Sequence, residues 1–304
     1  MKKILLLSAS CLIVVSSAAC DVCGCALGGN YYGLMPLNNK NFVGLRWSQA
    51  KFYAHMNHHS EYLPEEYSFD TYHKAELWGR FNLTDRLQFF AFVPYSYNRM
   101  EGNLQETRTS GLGDITLIAN YRLLETKDEA DPFKHLLMLG GGVKLPTGKN
   151  DHTDGGVPIN PNFQLGSGSV DFLMSAVYTL RYEKIGMNVE TGYKINTRND
   201  DAYRFGNQFN LASHFFYSRA VGAVSFLPNA GLYYESAARH SEGRSIMTNT
   251  GGSAFFASGG METYVANFSI GVNYKYPLQQ QYNSDEIADI EAKDRWTIAI
   301  AYVF

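Results

Sequence analysis

Large apolar and small or polar residues alternate along most of this chain. Counting back from the carboxyl end, Phe304, Tyr302, Ile300, Ile298 and Trp296 fall on every second position, with smaller residues between them. A period of two puts one set on each face of a β-strand. The same pattern recurs upstream. Leu87, Phe89, Ala91, Val93 and Tyr95 oppose Gln88, Phe90, Phe92, Pro94 and Ser96, and Ile185, Met187, Val189, Thr191, Tyr193 and Ile195 oppose Gly186, Asn188, Glu190, Gly192, Lys194 and Asn196. Further runs lie at 115–123 and 268–276. The pattern predicts about twelve strands, near 41–55, 69–83, 86–99, 111–124, 135–147, 167–182, 185–198, 204–218, 221–237, 250–262, 267–278 and 295–304. Soluble sandwiches rarely sustain strands this long, whereas a tilted bilayer crossing takes about 9–11 residues.

The connections alternate too. Thr84-Asp85, Glu183-Lys184, Ser218-Arg219-Ala220 and Val265-Ala266 are short, while 56–68, 100–110, 148–166, 238–249 and 279–294 are mostly longer and polar. Short turns on one side and long loops on the other are the asymmetry of a transmembrane barrel. The segment 125–134 departs from it, being long for the short-turn side. An even strand number puts both termini on that side, the periplasm.

The N-terminus agrees. Lys2 and Lys3 precede an apolar run from Ile4 to Val15, followed by small residues Ser16 to Ala19. This reads as a secretory signal over residues 1–19, too short to span a membrane as a helix. No later run reaches the roughly 20 apolar residues a spanning helix needs. The domain reading is a signal at 1–19, a Cys-, Gly- and Tyr-rich periplasmic segment at 20–40 that can plug the barrel mouth, and an all-β transmembrane antiparallel barrel at 41–304.

Composition sharpens the picture without changing it. The mean hydropathy is −0.24, which alone suggests a soluble protein. Barrels escape that measure because lipid-facing and lumen-facing residues average out. Aromatics make up 14 % of the 304 residues, with 21 Tyr and 19 Phe, as interfacial girdles require. A net charge of −3 points to no nucleic-acid partner. The expected partners are outer-membrane lipid, the barrel-assembly machinery and a small-molecule solute.

An alternating final strand that ends on an aromatic resembles the C-terminal sorting signal of bacterial outer-membrane barrels. Trp296, Tyr302 and Phe304 are the assembly-signal candidates. Several stretches also resemble one family. They are Ser110-Gly111-Leu112-Gly113-Asp114-Ile115, Lys144-Leu145-Pro146-Thr147-Gly148-Lys149, Leu165-Gly166-Ser167-Gly168-Ser169-Val170-Asp171, and Gly251-Gly252 with Phe255-Phe256-Ala257-Ser258-Gly259-Gly260 and then Tyr276-Pro277-Leu278. Together they resemble the outer-membrane proteins named for the meta-pathway of phenol degradation, with Gly259 where those proteins usually have Pro. The resemblance implies a barrel of about this size that acts as a transporter, in some members for small aromatic compounds. It implies no catalytic residues.

The face opposite the lipid is rich in charge of both signs. Lys74, Glu76, Arg80, Asp114, Arg122, Lys144, Glu190, Lys194 and Lys275 are the lumen-lining candidates, with Asp171, Arg181 and Glu235 on the same face. They form either a polar pathway or a salt-bridge lattice that fills a narrow barrel.

Cys20, Cys23 and Cys25 cluster at the start of the mature chain. Three readings stay open: lipidation of Cys20, a soft-metal site such as Cu(I) held by thiolates, or a disulfide in an oxidising compartment. His55, His58 and His59, with Met56 and Glu61, Glu65 and Glu66 nearby, form a metal-site candidate set against a solvated polar loop.

Enzyme chemistry finds little support. His214 is the strand histidine nearest mid-membrane, and its neighbour Ser213 must face the other way. There is no nucleotide-binding glycine pattern and no zinc-protease motif. The expected function is a transporter or narrow channel for a small solute, hydrophobic or aromatic. The alternative is a closed structural or surface barrel whose N-terminal thiolates handle copper.

Overall fold

The structure is a computed structural model; it describes residues 40–56, 65–128, 130–282 and 288–304. Twelve antiparallel strands form a closed barrel. They are β1 (Phe42–Met56), β2 (Glu66–Asn82), β3 (Leu87–Gly102), β4 in two pieces (Glu106–Leu112 and Ile115–Glu125), β5 (Phe133–Leu145), β6 (Asp171–Tyr182), β7 (Ile185–Ile195), β8 (Gln208–Tyr217), β9 (Val224–Ala237), β10 (Gly252–Val265), β11 (Phe268–Tyr282) and β12 (Ala288–Val303). Each pairs with its sequence neighbours, and β12 closes the circle on β1, with Phe42 opposite Val303 and Trp47 opposite Ile298. The Phe304 amide donates to the Asn41 carbonyl at 2.9 Å, so both chain ends meet at one rim. Closure leaves no strand edge to be desolvated in lipid without a partner. No described helix is long and apolar enough to cross a membrane.

The two faces of each strand follow the alternation. Phe304, Tyr302, Ile300, Ile298 and Trp296 are exposed on the outer wall, whereas Val303 and Ala301 are buried inside. Outward aromatics form two belts. Phe133–Tyr182 at 4.9 Å and Phe268–Tyr302 at 5.4 Å lie near the short turns. Tyr53–Phe69 at 5.1 Å and Tyr274–Trp296 at 4.5 Å lie nearer the loops. Leu45, Leu77, Ile270, Ile298 and Ile300 fill the band between. The last strand thus reads as girdle, apolar band, girdle, the outer surface a bilayer requires.

Several boundaries differ from those the pattern predicts, where the alternation is weak. β2 begins at Glu66 and β3 runs to Gly102, leaving a tight turn at 103–105 instead of a loop over 100–110. β11 runs to Tyr282 and β12 starts at Ala288, where the sequence suggested a loop over 279–294. Gln279, Gln281 and Glu291 hide that extension: beyond the lipid an outward face need not be apolar. Finally, residues 167–170 are not strand, and β4 is interrupted at Gly113-Asp114.

The strands are tilted. A row of inward residues perpendicular to the strands runs Thr109, Asn98, Tyr72, Ala50, Arg295, Lys275, Ser258, Gly231, His214, Asn188, Thr179, Leu136. From Leu136 it returns to β4 at Glu125, near the opposite end from Thr109. That stagger is the shear that closing a barrel requires.

Candidate functional site

The interior is the candidate site, and it is layered. Toward the turn end, Phe42 on β1 packs edge-on against Trp78 on β2, centroids 4.5 Å apart. Phe90, Phe92, Ile118, Leu136, Met138, Val177, Ala301 and Val303 complete an apolar cluster. Arg80 lies beside it, its guanidinium 5.3 Å from the Phe42 ring centroid, and its Nε donates to the Lys40 carbonyl at 3.0 Å. Arg122 pairs with Glu125 at 2.9 Å at the same end.

Charge occupies the middle. Arg46 on β1 and Glu76 on β2 are register partners and form a buried ion pair. Lys74 Nζ stands 3.5 Å from Glu76 Oε1. The Arg46 guanidinium also lies 4.9 Å from the Trp78 ring and 5.6 Å from that of Phe92. On the facing wall, His214 Nε2 is 3.0 Å from Ser258 Oγ, and Ser258 also bonds to Asn273. His214 and Ser258 are two strands apart; Gly231 stands between them in register and has no side chain in the way. A Cβ there would sit 1.9 Å from the Ser213 carbonyl oxygen. Ser213 faces the other way, as the alternation requires. The order is His–Ser–Asn, with Asn273 bonded to the serine, not the base-orienting chain of nucleophilic catalysis.

Nearer the loops, Arg295 on β12 forks onto Glu235 on β9, both contacts at 2.8 Å, reaching across β10 and β11. Tyr282 donates its hydroxyl to the same carboxylate. A β-bulge between Ala50 and Phe52 pairings lets both Arg295 and Ala292 face inward. The Arg295 guanidinium lies 4.3 Å from the Phe256 ring and 5.5 Å from that of Phe52. Lys275 Nζ sits 3.5 Å above the Tyr233 ring. These cations are held by aromatic faces as well as by acids.

The loop end is covered by residues 146–170. A short 3-10 turn, Pro161–Phe163, carries the Phe163 ring inside, 1 % exposed and 5.1 Å from Tyr72. Thr109 donates to the Phe163 carbonyl at 2.7 Å. Lys144 anchors the base of this segment. Its ammonium meets Asp114, Asp171 at 3.0 Å, the Ser167 hydroxyl and the Ser169 carbonyl. Asp114 in turn accepts the Gly148 amide at 3.0 Å and the Ser167 amide at 2.9 Å. The three Gly-rich motifs therefore converge on one cage. Asp114 lies in the strand interruption and holds this cage, not an open lumen wall.

A cavity of about 780 Å³ opens at the loop end beside Ala237, Gly252 and Tyr282, and one of about 260 Å³ at the turn end, while mid-lumen cavities beside Arg46 and Glu262 and beside Glu190 and Lys194 hold only about 30 and 20 Å³. Lys74, Glu76, Arg80, Arg122, Lys144, Glu190, Lys194 and Lys275 all lie on the inner face, from half-buried to fully buried. His214 joins them, as do Arg46, Glu262 and Arg295, which were missed in the sequence although each alternates with an outward residue. Asp70 is also buried there, bonded to Ser68 at 2.9 Å.

Of the metal candidates, His55 faces outward, 3.5 Å from Glu65. Among the described residues no group of three His, Cys, Asp or Glu is placed to hold a metal. Cys20, Cys23, Cys25, His58, His59, the 1–19 signal and all of 20–40 except Lys40 lie outside the described residues.

Among solved structures the chain is similar to an outer membrane channel from Pseudomonas putida F1, at 16 % identity and TM-score 0.60, covering 88 % of this chain and 97 % of that one. It also matches the β domain of the Bordetella autotransporter Brka, at 12 % identity and TM-score 0.43, covering 87 % and 100 %. A FadL homologue of Pseudomonas aeruginosa matches at 10 % identity and TM-score 0.40, covering 88 % and 91 %. No curated protein sequence matches the chain. The likeness to the Pseudomonas putida channel is one of fold, and the order of the Gly-rich motifs around the Lys144 cage is a matter of sequence. Residues 67–283 match the family described as "Putative MetA-pathway of phenol degradation", and the chain belongs to that family.

Proposed function

We propose that this protein is a narrow outer-membrane channel for a small solute with an apolar or aromatic part. The observation that carries the reading is the interior itself. Ion pairs at Arg46–Glu76 and Glu235–Arg295 lie under the aromatic faces of Trp78, Phe92, Phe256 and Phe52. A barrel filled only for stability gains little from such pairs, since apolar residues of similar volume serve as well or better. A lumen that passes amphipathic solutes needs both kinds of surface. The small mid-lumen cavities argue against a wide general porin, and the segment 146–170 acts as the gate.

Among the described residues we read no arrangement as catalytic, and we place the protein in the outer membrane with both termini in the periplasm. The lumen charges Lys74, Glu76, Arg80, Glu190, Lys194 and Lys275 shape what passes. The test is current across planar bilayers and solute uptake into liposomes, with phenol and benzyl alcohol as probes. Charge reversal at Glu190 or Lys194 should change conductance or selectivity while the barrel stays folded. If the wild-type protein shows neither current nor uptake, the closed structural barrel replaces this reading.

A further inference from the structure

The turn-end cavity has a chemistry of its own. Its volume is about 260 Å³, and two cations, Lys40 and Arg181, line it with no acid. Ser218, Ser225 and Asn267 add hydroxyl and amide groups to the same wall, and Phe216, Leu227 and Val303 supply apolar surface. An apolar cavity of about 150 Å³ is enough to admit benzene, so this one has room for a ring and a polar head.

Arg181 is the telling residue. It lies on the inner face of β6, opposite Lys134 on β5 and Gly186 on β7. Its Nε is buried and has no hydrogen-bond partner, and among the described residues its guanidinium forms no ion pair. The other inward cations at this end are engaged. Lys134 turns its ammonium to the Asp128 carbonyl, Arg122 pairs with Glu125, and Arg80 donates to the Lys40 carbonyl. Glu125, two strands away on β4 and at the same end, is taken by Arg122, and Glu262, four strands away on β10, accepts the Tyr264 hydroxyl at 2.9 Å. A guanidinium presents a planar fork of donors that matches a carboxylate. Shielding Nε from water without a partner is costly, and a bound anion relieves that cost.

The geometry points to a binding site for a small organic carboxylate in this cavity, its charged head on Arg181 and Lys40 and its apolar body against Phe216, Leu227 and Val303. This names a substrate class for the channel and, as a step in transport, rests on the channel reading. The binding itself does not require conduction, so the two can fail separately.

The test is isothermal titration of the detergent-folded barrel with benzoate, acetate and benzamide at fixed ionic strength. Benzoate should bind more tightly than acetate, which lacks the ring, and than benzamide, which lacks the charge. Arg181→Gln should weaken benzoate by roughly tenfold or more and leave benzamide unchanged, with Arg181→Lys in between. Removing Arg181 orphans no acid, so heat-modifiable migration of each variant should match the wild type. Absence of benzoate binding at millimolar concentration overturns the site, as does equal benzoate affinity in wild type and folded Arg181→Gln. Acetate or benzamide binding as tightly as benzoate overturns the ligand class. If Arg181→Gln does not fold, folded Arg181→Lys and Ser225→Ala carry the test, and unchanged benzoate affinity in both overturns the site.

Discussion

The Lys144 ammonium lies 3.0 Å from the Asp171 carboxylate, which joins the end of β5 to the start of β6 across the 25-odd residues that cover the loop end. Asp171 also accepts the Thr197 amide at 2.9 Å, so the same contact ties the 196–207 connection to the rim. One cation thus organises two loops. Lys144→Met leaves Asp114 and Asp171 together without a counter-charge. The expected result is release of residues 146–170, seen as faster protease cleavage in that segment and larger or noisier single-channel current, with the barrel intact. Unchanged cleavage and current would show that Phe163 alone holds the segment.

The Glu235–Arg295 fork is a buried pair that crosses two strands. Removing one member strands the other, at a cost of about 3–5 kcal/mol. Glu235→Gln or Arg295→Met should therefore lower the urea midpoint of the refolded barrel markedly. The double change Glu235→Leu with Arg295→Met should recover much of that loss, because no lone charge remains. If the double variant is no better than the singles, the pair stabilises the barrel outright.

His240 lies outside the strands, buried, with Nδ1 2.7 Å from the Tyr203 hydroxyl. Burial, with Lys194 adding to it, pushes its pKa down to about 4 from the usual 6.5. The unfolded loop takes up a proton more readily than the folded one. The stabilising neutral state is fully present above about pH 6.5 and is lost as pH falls toward 4. Amide exchange around Tyr203 and His240 should be faster at pH 4.5 than at pH 7.5 after correction for the intrinsic pH effect, and His240→Gln should flatten that difference.

Phe304 stacks on Tyr302, centroids 6.1 Å apart, and is about half exposed to lipid. Deleting it removes one backbone hydrogen bond, to Asn41. The refolded barrel should lose little stability in urea, while assembled protein in cells should fall sharply. A parallel loss in both measurements would make the residue structural and not a signal for assembly.

Period-two alternation was enough to state the architecture, because a barrel wall has only two faces and each strand must put one of them in lipid. Trp296 to Phe304 display that rule in five residues. The same parity assigns Lys74, Glu190 and Lys275 to the inner face. Strand ends were less legible: Gln279 to Tyr282 and Ala288 to Asp294 extend the sheet beyond the lipid, where no apolar face is needed and the alternation fades.

What only the tertiary structure decided is which inward residues meet. Alternation assigns a side and not a neighbour across the lumen. Glu235 reaches Arg295 past two strands, and His214 reaches Ser258 over Gly231, because of the shear and the curvature of the closed wall. The folding-in of Phe163, and the convergence of Asp114, Lys144, Ser167 and Asp171 on one cage, depend on contacts between segments far apart in the chain. Nor does the sequence mark Arg181 as different from Arg122 or Arg295. All three are arginines on inward positions, and only the packed interior gives two of them an acid and leaves the third facing a cavity.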